Sequence, residues 1–222
     1  GIPATYKQWH SLRKAPSNRA STLVEDGRYK VRLAENASEV LSALRLRHSV
    51  FELELRNGSQ DRGNGIEFEP YDLECRHLIV ISKDTGETVG TYRLNSIKSD
   101  DAVSASYSAS EFTVEDLPKG ILRNGIEIGR ACIAREHRNT KVLFLLWKAL
   151  LQHIENEGKR YYFGCCSIFS QDEEMGRLAF QQLIREGVVH DHFTVRPRRN
   201  GIDPGCNVAE NAKIELPPLF NM

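Results

Sequence analysis

Glu127 and Arg130 stand three residues apart in the run Ile126-Glu-Ile-Gly-Arg-Ala-Cys-Ile133, ahead of a polar turn and a strongly apolar helix. A carboxylate can take up a proton and a guanidinium can hold an anion, but the two cooperate only if both reach one cleft. Alternation along a strand would send them to opposite faces. The strand must therefore gain a residue, and Gly129 is where a bulge costs least. Arg47 and His48 pose a second question, because they fall inside the apolar stripe Val40, Leu44, Phe51, Leu55 of a helix expected over 37–55. A guanidinium there needs a carboxylate partner or a pocket open to a ligand. Both readings stand: an internal pair that holds the helix, or a substrate-facing cation. Cys165 and Cys166 lie in an apolar stretch without an activating cation nearby in sequence and read as core. Cys75 with His77, and His190 with His192, have spacings that metals use, yet no second matching pair completes a ligand set, and no metal is expected.

The elements that must position these groups follow from periodicity. Tyr29–Leu33 alternates as a first strand, and Asn36 followed by Glu39 is a capping-box signal for the helix over 37–55. Arg56–Glu69 is long, polar and glycine-rich, as in a lid or binding loop, and lies within an acid-rich stretch over 52–74. His77–Ile81 and Thr88–Leu94 read as strands joined by a hairpin turn at Lys83–Gly86. Glu111–Leu117 reads as a short helix. The helix over about 140–157 is apolar almost all round, so sheet must cover all but its stripe of Lys141, Lys148, Gln152, Glu155 and Lys159. Arg160–Ile168 reads as an interior strand, Gln171–Glu186 as a helix, Val188–Val195 as a strand, and Pro204–Met222 as irregular. The sum is a mixed sheet flanked by helices.

Composition narrows the class. The 222 residues are enough for one large core, and 30 basic residues balance 30 acidic ones, which argues against a general nucleic-acid binder. The longest apolar run, Val142–Trp147, is far short of the roughly twenty residues that cross a bilayer. The start of the chain lacks the apolar core of a secretion signal. Five cysteines without framework spacing suggest reduced thiols in a cytoplasmic setting. Residues 1–27 read as a basic arm and 28–222 as a single domain.

Arg47-His-Ser-Val-Phe51, Tyr71-Asp72, Cys75-Arg-His77, Gly90-Thr-Tyr-Arg-Leu94, Glu127-Ile-Gly-Arg130, Leu145-Leu-Trp147 and Phe163-Gly-Cys165 occur in the order of one family's motifs. From about Val40 to Pro218 the chain resembles the GNAT-like N-acyltransferases that use acyl carrier protein. That group holds long-chain N-acyl amino acid synthases and ornithine N-acyltransferases, and is related to acyl-homoserine lactone synthases. The resemblance implies an α/β (α+β) fold: a mixed, mostly antiparallel sheet with splayed central strands flanked by helices. It implies direct transfer of a long-chain acyl group from a phosphopantetheine thioester to the α-amine of an amino acid, with no bound cofactor. Glu127 would be the base or amine-orienting group, Arg130 an anion grip, and the backbone N–H groups of Cys132 and Ile133 the oxyanion donors. Arg47, Asp72 and Arg93 would bind the acceptor. Arg135, Arg138, Lys141 and Lys148 would form the basic face for an acidic carrier protein, in a monomer whose product can touch a membrane surface. Two alternatives remain. An acyl-homoserine lactone synthase would need S-adenosylmethionine, and Glu52–Arg56 lacks the tryptophan expected there; a non-catalytic carrier-binding protein would keep only the fold. Family members continue past Leu216-Pro-Pro218 into a closing strand, whereas Met222 comes four residues later: either the sequence is cut there or the sheet closes differently, and the motif order does not give that wall of the acceptor site.

Overall fold

The computed structural model describes residues 22–55, 64–168, 170, 172–190, 192–199, 201 and 214–216. Most of the basic arm, the start of the expected lid at 56–63, and most of Pro204–Met222 lie outside the described residues. The chain divides into two compact units: 1–96 with 124–163, and 97–123 with 164–222. The second unit joins two stretches distant in sequence, a relation that local periodicity does not carry.

The first unit is built on a six-stranded sheet in sequential order. Its strands are β1 (Val24–Glu25), β2 (Tyr29–Leu33), β3 (Arg76–Ser82), β4 (Thr88–Ser96), β5 (Gly125–Ile133) and β6 (Tyr161–Phe163). All neighbours pair antiparallel except β5 and β6, which run parallel. Strand β1 falls within the stretch read as an arm. Consecutive residues Leu78, Ile79 and Val80 of β3 have no exposed surface, so both faces of the sheet are covered. Helix α1 (Ala37–Arg47) lays Val40, Ala43 and Leu44 against Ile79. Its cap is half as read. The Asn36 side chain accepts from the Glu39 N–H, but Glu39 accepts from the Glu35 N–H and pairs with Arg32 rather than closing the box. The helix then widens into a π-helical segment, His48–Leu55, and Leu55 of the expected stripe is exposed.

Helix α5 (Thr140–Asn156) follows β5, capped by Asn139, whose side chain accepts from the Val142 N–H at 3.0 Å. It packs on β1, β2 and β4 through residues that include Val142, Leu146 and Leu150. Coverage is less complete than its sequence suggests, since Phe144 and Leu151 remain 63% and 60% exposed. The strand expected over 160–168 is only Tyr161–Phe163, and it is not interior: Tyr161 is exposed, Cys165 half-buried and Cys166 exposed. An apolar run marked that stretch as buried, but a strand needs partners on both sides to be so, and β6 has one in the sheet.

In the second unit, 97–123 forms short helices α2 (Asp100–Ser104), α3 (Tyr107–Glu111) and α4 (Lys119–Arg123), with a 3-10 turn at Val114–Asp116 in place of the helix read over 111–117. Helix α6 (Glu173–Arg185) matches its reading, whereas 188–195 forms no strand among the described residues. Phe112 bridges Pro197, and Arg198 pairs with Glu115, which ties the two stretches of this unit together.

Candidate active site

The ladder between β4 and β5 breaks where the chemistry requires it. Arg93 faces Gly129, and Thr91 faces Cys132, so Tyr92 alone opposes both Arg130 and Ala131. The extra residue sits one position beyond Gly129: Arg130 takes φ 51°, the left-handed conformation a glycine would favour. For an arginine this costs about 1 kcal/mol, and its ion pairs offset that. Cross-strand partners share a face, so Asn95 and Arg93 of β4 lie on the face of Glu127 and Gly129. Arg130 and Arg93 both reach Glu69, which brings Arg130 onto that same face. The bulge thus does what strict alternation forbids. Glu127 is 7% exposed, and the Asn95 side-chain amide lies 3.3 Å from its Oε2.

Behind these residues lies a cluster of three arginines and three acids. Arg47, with no exposed surface, donates to Asp72 at 2.7 and 3.0 Å and also to Glu67. Arg93 donates to Glu69 at 2.6 Å and lies 3.5 Å from Asp72. Arg130 grips Glu69 with Nε and Nη2 and lies 3.3 Å from Glu67. Asp72 also accepts from the Glu69 N–H at 2.8 Å. Burial alone would lift the Asp72 carboxyl, but the charge and hydrogen bonds of Arg47 outweigh it and hold it below the usual aspartate value. Glu69 is likewise lowered: burial raises it, and Arg130 and Arg93 more than compensate. Of the two readings of Arg47, this arrangement is the internal one, since both edges of its guanidinium meet carboxylates. Asp72 and Arg93, read as substrate contacts, hold the same cluster, at 1% and 5% exposed. Glu67 and Glu69 were missed as site residues; the acid-rich stretch over 52–74 was their only signal.

Strand β6 ends at Phe163, opposite Glu127. Its pairing with β5 covers Gly125 to Glu127 against Tyr161 to Phe163, while β5 continues to Ile133 with no strand on that edge among the described residues. The Ala134 N–H donates to Val89 of β4 at 2.8 Å. Alternation then turns the Cys132 N–H towards β4 and the Ile133 N–H towards the open edge. The pair expected as oxyanion donors is therefore divided, with Ile133 alone on the open side. The Ile133 carbonyl on that edge accepts from Arg138 Nε at 2.9 Å. The Cys132 thiol faces Leu46 and Val50, and burial pushes it up to about 12.

The expected docking residues are engaged locally. Arg138 holds Glu54 in a two-pronged pair, Arg135 lies 3.5 Å from the same carboxylate, and Lys141 pairs with Asp26 at 2.8 Å. Lys148 is exposed between Phe144 and Leu151. Beside Glu54 a groove of about 320 Å³ is lined by Leu46, Val50, Leu53 and Ala134.

A mixed sheet with one parallel pair beside a bulged strand goes with likeness in sequence. Residues 46–148 match the acetyltransferase (GNAT) domain family. An L-ornithine N(alpha)-acyltransferase of Rhizobium meliloti strain 1021 is 30% identical over 94% of this chain and 76% of its own length. That of Rhodobacter capsulatus is 30% identical over 65% of this chain, which spans 58% of that relative. The chain belongs to this family of GNAT-type N-acyltransferases. A solved AHL synthase, LasI, superposes with a TM-score of 0.47 at 14% identity, over 72% of this chain and 78% of that one.

Proposed function

We propose that this chain transfers a long-chain acyl group from the phosphopantetheine thioester of acyl carrier protein to the α-amine of an amino acid. The observation that supports the reading is the end of the β5–β6 pairing at Glu127, on a strand whose bulge turns Arg130 onto Glu127's face. A thioester arm laid along that edge is held by the Ile133 N–H, while Glu127, about 20 Å back along the strand, is the proton acceptor beside the reacting carbonyl. Glu127 takes a proton from the acceptor's ammonium, and the neutral amine attacks the thioester carbonyl. The C–N bond forms, the C–S bond breaks, and the thiol leaves with the proton that the nitrogen sheds. No covalent enzyme intermediate is required. The names of the relatives put ornithine first among candidate acceptors.

Carrier protein is acidic, and the exposed Lys148, with Arg135 beside the turn into α5, supports docking there. The groove beside Glu54, half apolar and half polar with Ser49, Arg135 and Glu136 also in its lining, offers surface to the arriving arm. The test is incubation with long-chain acyl carrier protein and ornithine, tyrosine or glycine, with N-acyl products read by mass spectrometry. A parallel reaction replaces the carrier with the coenzyme A thioester. Product from the carrier thioester at the higher rate is expected. Transfer from coenzyme A alone would refute the donor, and absence of any N-acyl amino acid would refute the reaction.

A further inference from the structure

We propose that Glu69 is a placeholder for the acceptor's carboxylate, and that substrate binding exchanges one carboxylate for the other on Arg130. The inference rests on the reading of the acceptor as an amino acid. The cluster is graded by exposure: Arg47 and Asp72 at 0% and 1%, Arg93 at 5%, then Arg130 and Glu69 at 24% and 21%. The Arg130–Glu69 pair is thus the end that solvent and ligands reach. Its geometry is two-pronged, Nη2 on Oε1 and Nε on Oε2 at 3.0 Å, the fork an α-carboxylate would adopt. An incoming carboxylate cannot take that fork while Glu69 occupies it.

Glu69 has a second place to rest. Its Oε2 already accepts from Arg93 at 2.6 Å, and its backbone N–H is tied to Asp72 at 2.8 Å. The exchange is therefore a side-chain rotation on an anchored backbone, and the buried Arg47–Asp72 pair is untouched. Charge sets the substrate class. Three guanidinium groups balance three carboxylates, so a lone anion added at Arg130 leaves the cluster with excess negative charge in a poorly solvated place. An acceptor that brings an ammonium with its carboxylate restores the balance, and the displaced Glu69 is available to that ammonium. A simple amine lacks the group that releases Glu69, and a simple carboxylate lacks the cation. With Glu69 in place the carboxylate's contact with Arg130 is partly spent, so the exchange moderates the preference for compounds that carry both.

The test compares ornithine with putrescine, its decarboxylated counterpart, as acceptors for the wild-type chain and for Glu69→Gln. In the wild type the carboxylate's gain is spent displacing Glu69. Without that competitor, the preference of kcat/KM for ornithine over putrescine rises about tenfold or more, the size of one charge-assisted contact. Glu69→Asp, too short to span Arg93 and Arg130 together, shifts the preference in the same direction and serves if the glutamine variant does not fold. In the wild-type chain the Arg130 Nε–H resonance, assigned by its loss in Arg130→Lys, shifts with ornithine and not with putrescine. An unchanged or reduced preference in a folded variant, or an unmoved resonance under an ornithine that is turned over, overturns the exchange alone. A wild-type chain that acylates no amino acid overturns the acceptor reading and this inference with it.

Discussion

Replacing Asp72 with asparagine strikes the cluster at its most buried point. Asp72 is 1% exposed and holds both terminal nitrogens of Arg47, at 2.7 and 3.0 Å, together with the Glu69 N–H. Asparagine fits the space but sets an amide N–H₂ against guanidinium donors and removes the charge that compensates a fully buried cation. Breaking a buried pair from one side costs about 3–5 kcal/mol. Glu67 stays on Arg47 and offsets part, so about 3 kcal/mol is expected. Against a total of roughly 5–15 kcal/mol for a folded domain, the variant remains folded with a much lower urea midpoint. Circular dichroism gives that midpoint, and an unchanged slope confirms that stability rather than compactness moved. Acid titration adds a second reading. The folded Asp72 carboxyl lies below its ordinary value of 3.8, so its contribution is complete above that value and is lost as pH falls through the lower folded one. The gap between wild type and Asp72→Asn must therefore close in the acid range. A midpoint shift worth under about 1 kcal/mol near neutral pH, or a gap that persists in strong acid, refutes the reasoning. The double replacement Arg47→Met with Asp72→Leu should cost less than Asp72→Asn alone, because it removes the buried cation together with its partner and leaves Glu67 beside Arg130 at 3.3 Å.

Glu127→Gln should lower kcat by about 100-fold or more with little change in KM for the acyl carrier thioester, as steady-state kinetics will show. Arg138→Glu sets a carboxylate against Glu54 and strips the Ile133 carbonyl of its donor; KM for the carrier thioester should rise about tenfold and its salt dependence weaken. Cys132 and Cys75, whose thiols burial pushes up to about 12, should resist iodoacetamide in the native protein at pH 8 while the exposed Cys166 is alkylated. Peptide mass spectrometry decides, and early labelling of Cys132 would contradict its packing against Leu46 and Val50.

Much of the frame was legible without coordinates. Alternation marked β2 to β5, Asn36 started its helix, and motif order pointed to the acyltransferase family that identity to relatives then bore out. These signals are local, set by side-chain period and by caps that act within four residues. The spacing of Glu127 and Arg130 even required a bulge. Its position required more. A local preference favours Gly129, yet the left-handed residue is Arg130, because its guanidinium is held by carboxylates some sixty positions earlier in the chain. Separation along the chain, 25 positions to Asp72 and 20 to Glu67, also hid the role of Arg47. Its sequence said only that a partner must exist, and three-dimensional packing chose Asp72 and Glu67 over a ligand. Strand Tyr161–Phe163 was overextended for a related reason: apolar character reports a wish to be buried, while the number of neighbouring strands decides whether burial happens. Residue types determined which charges this protein carries and the periods of its elements. Only the tertiary structure decided which charges meet, since ion pairing is a matter of distance in space and the chain encodes distance only along itself.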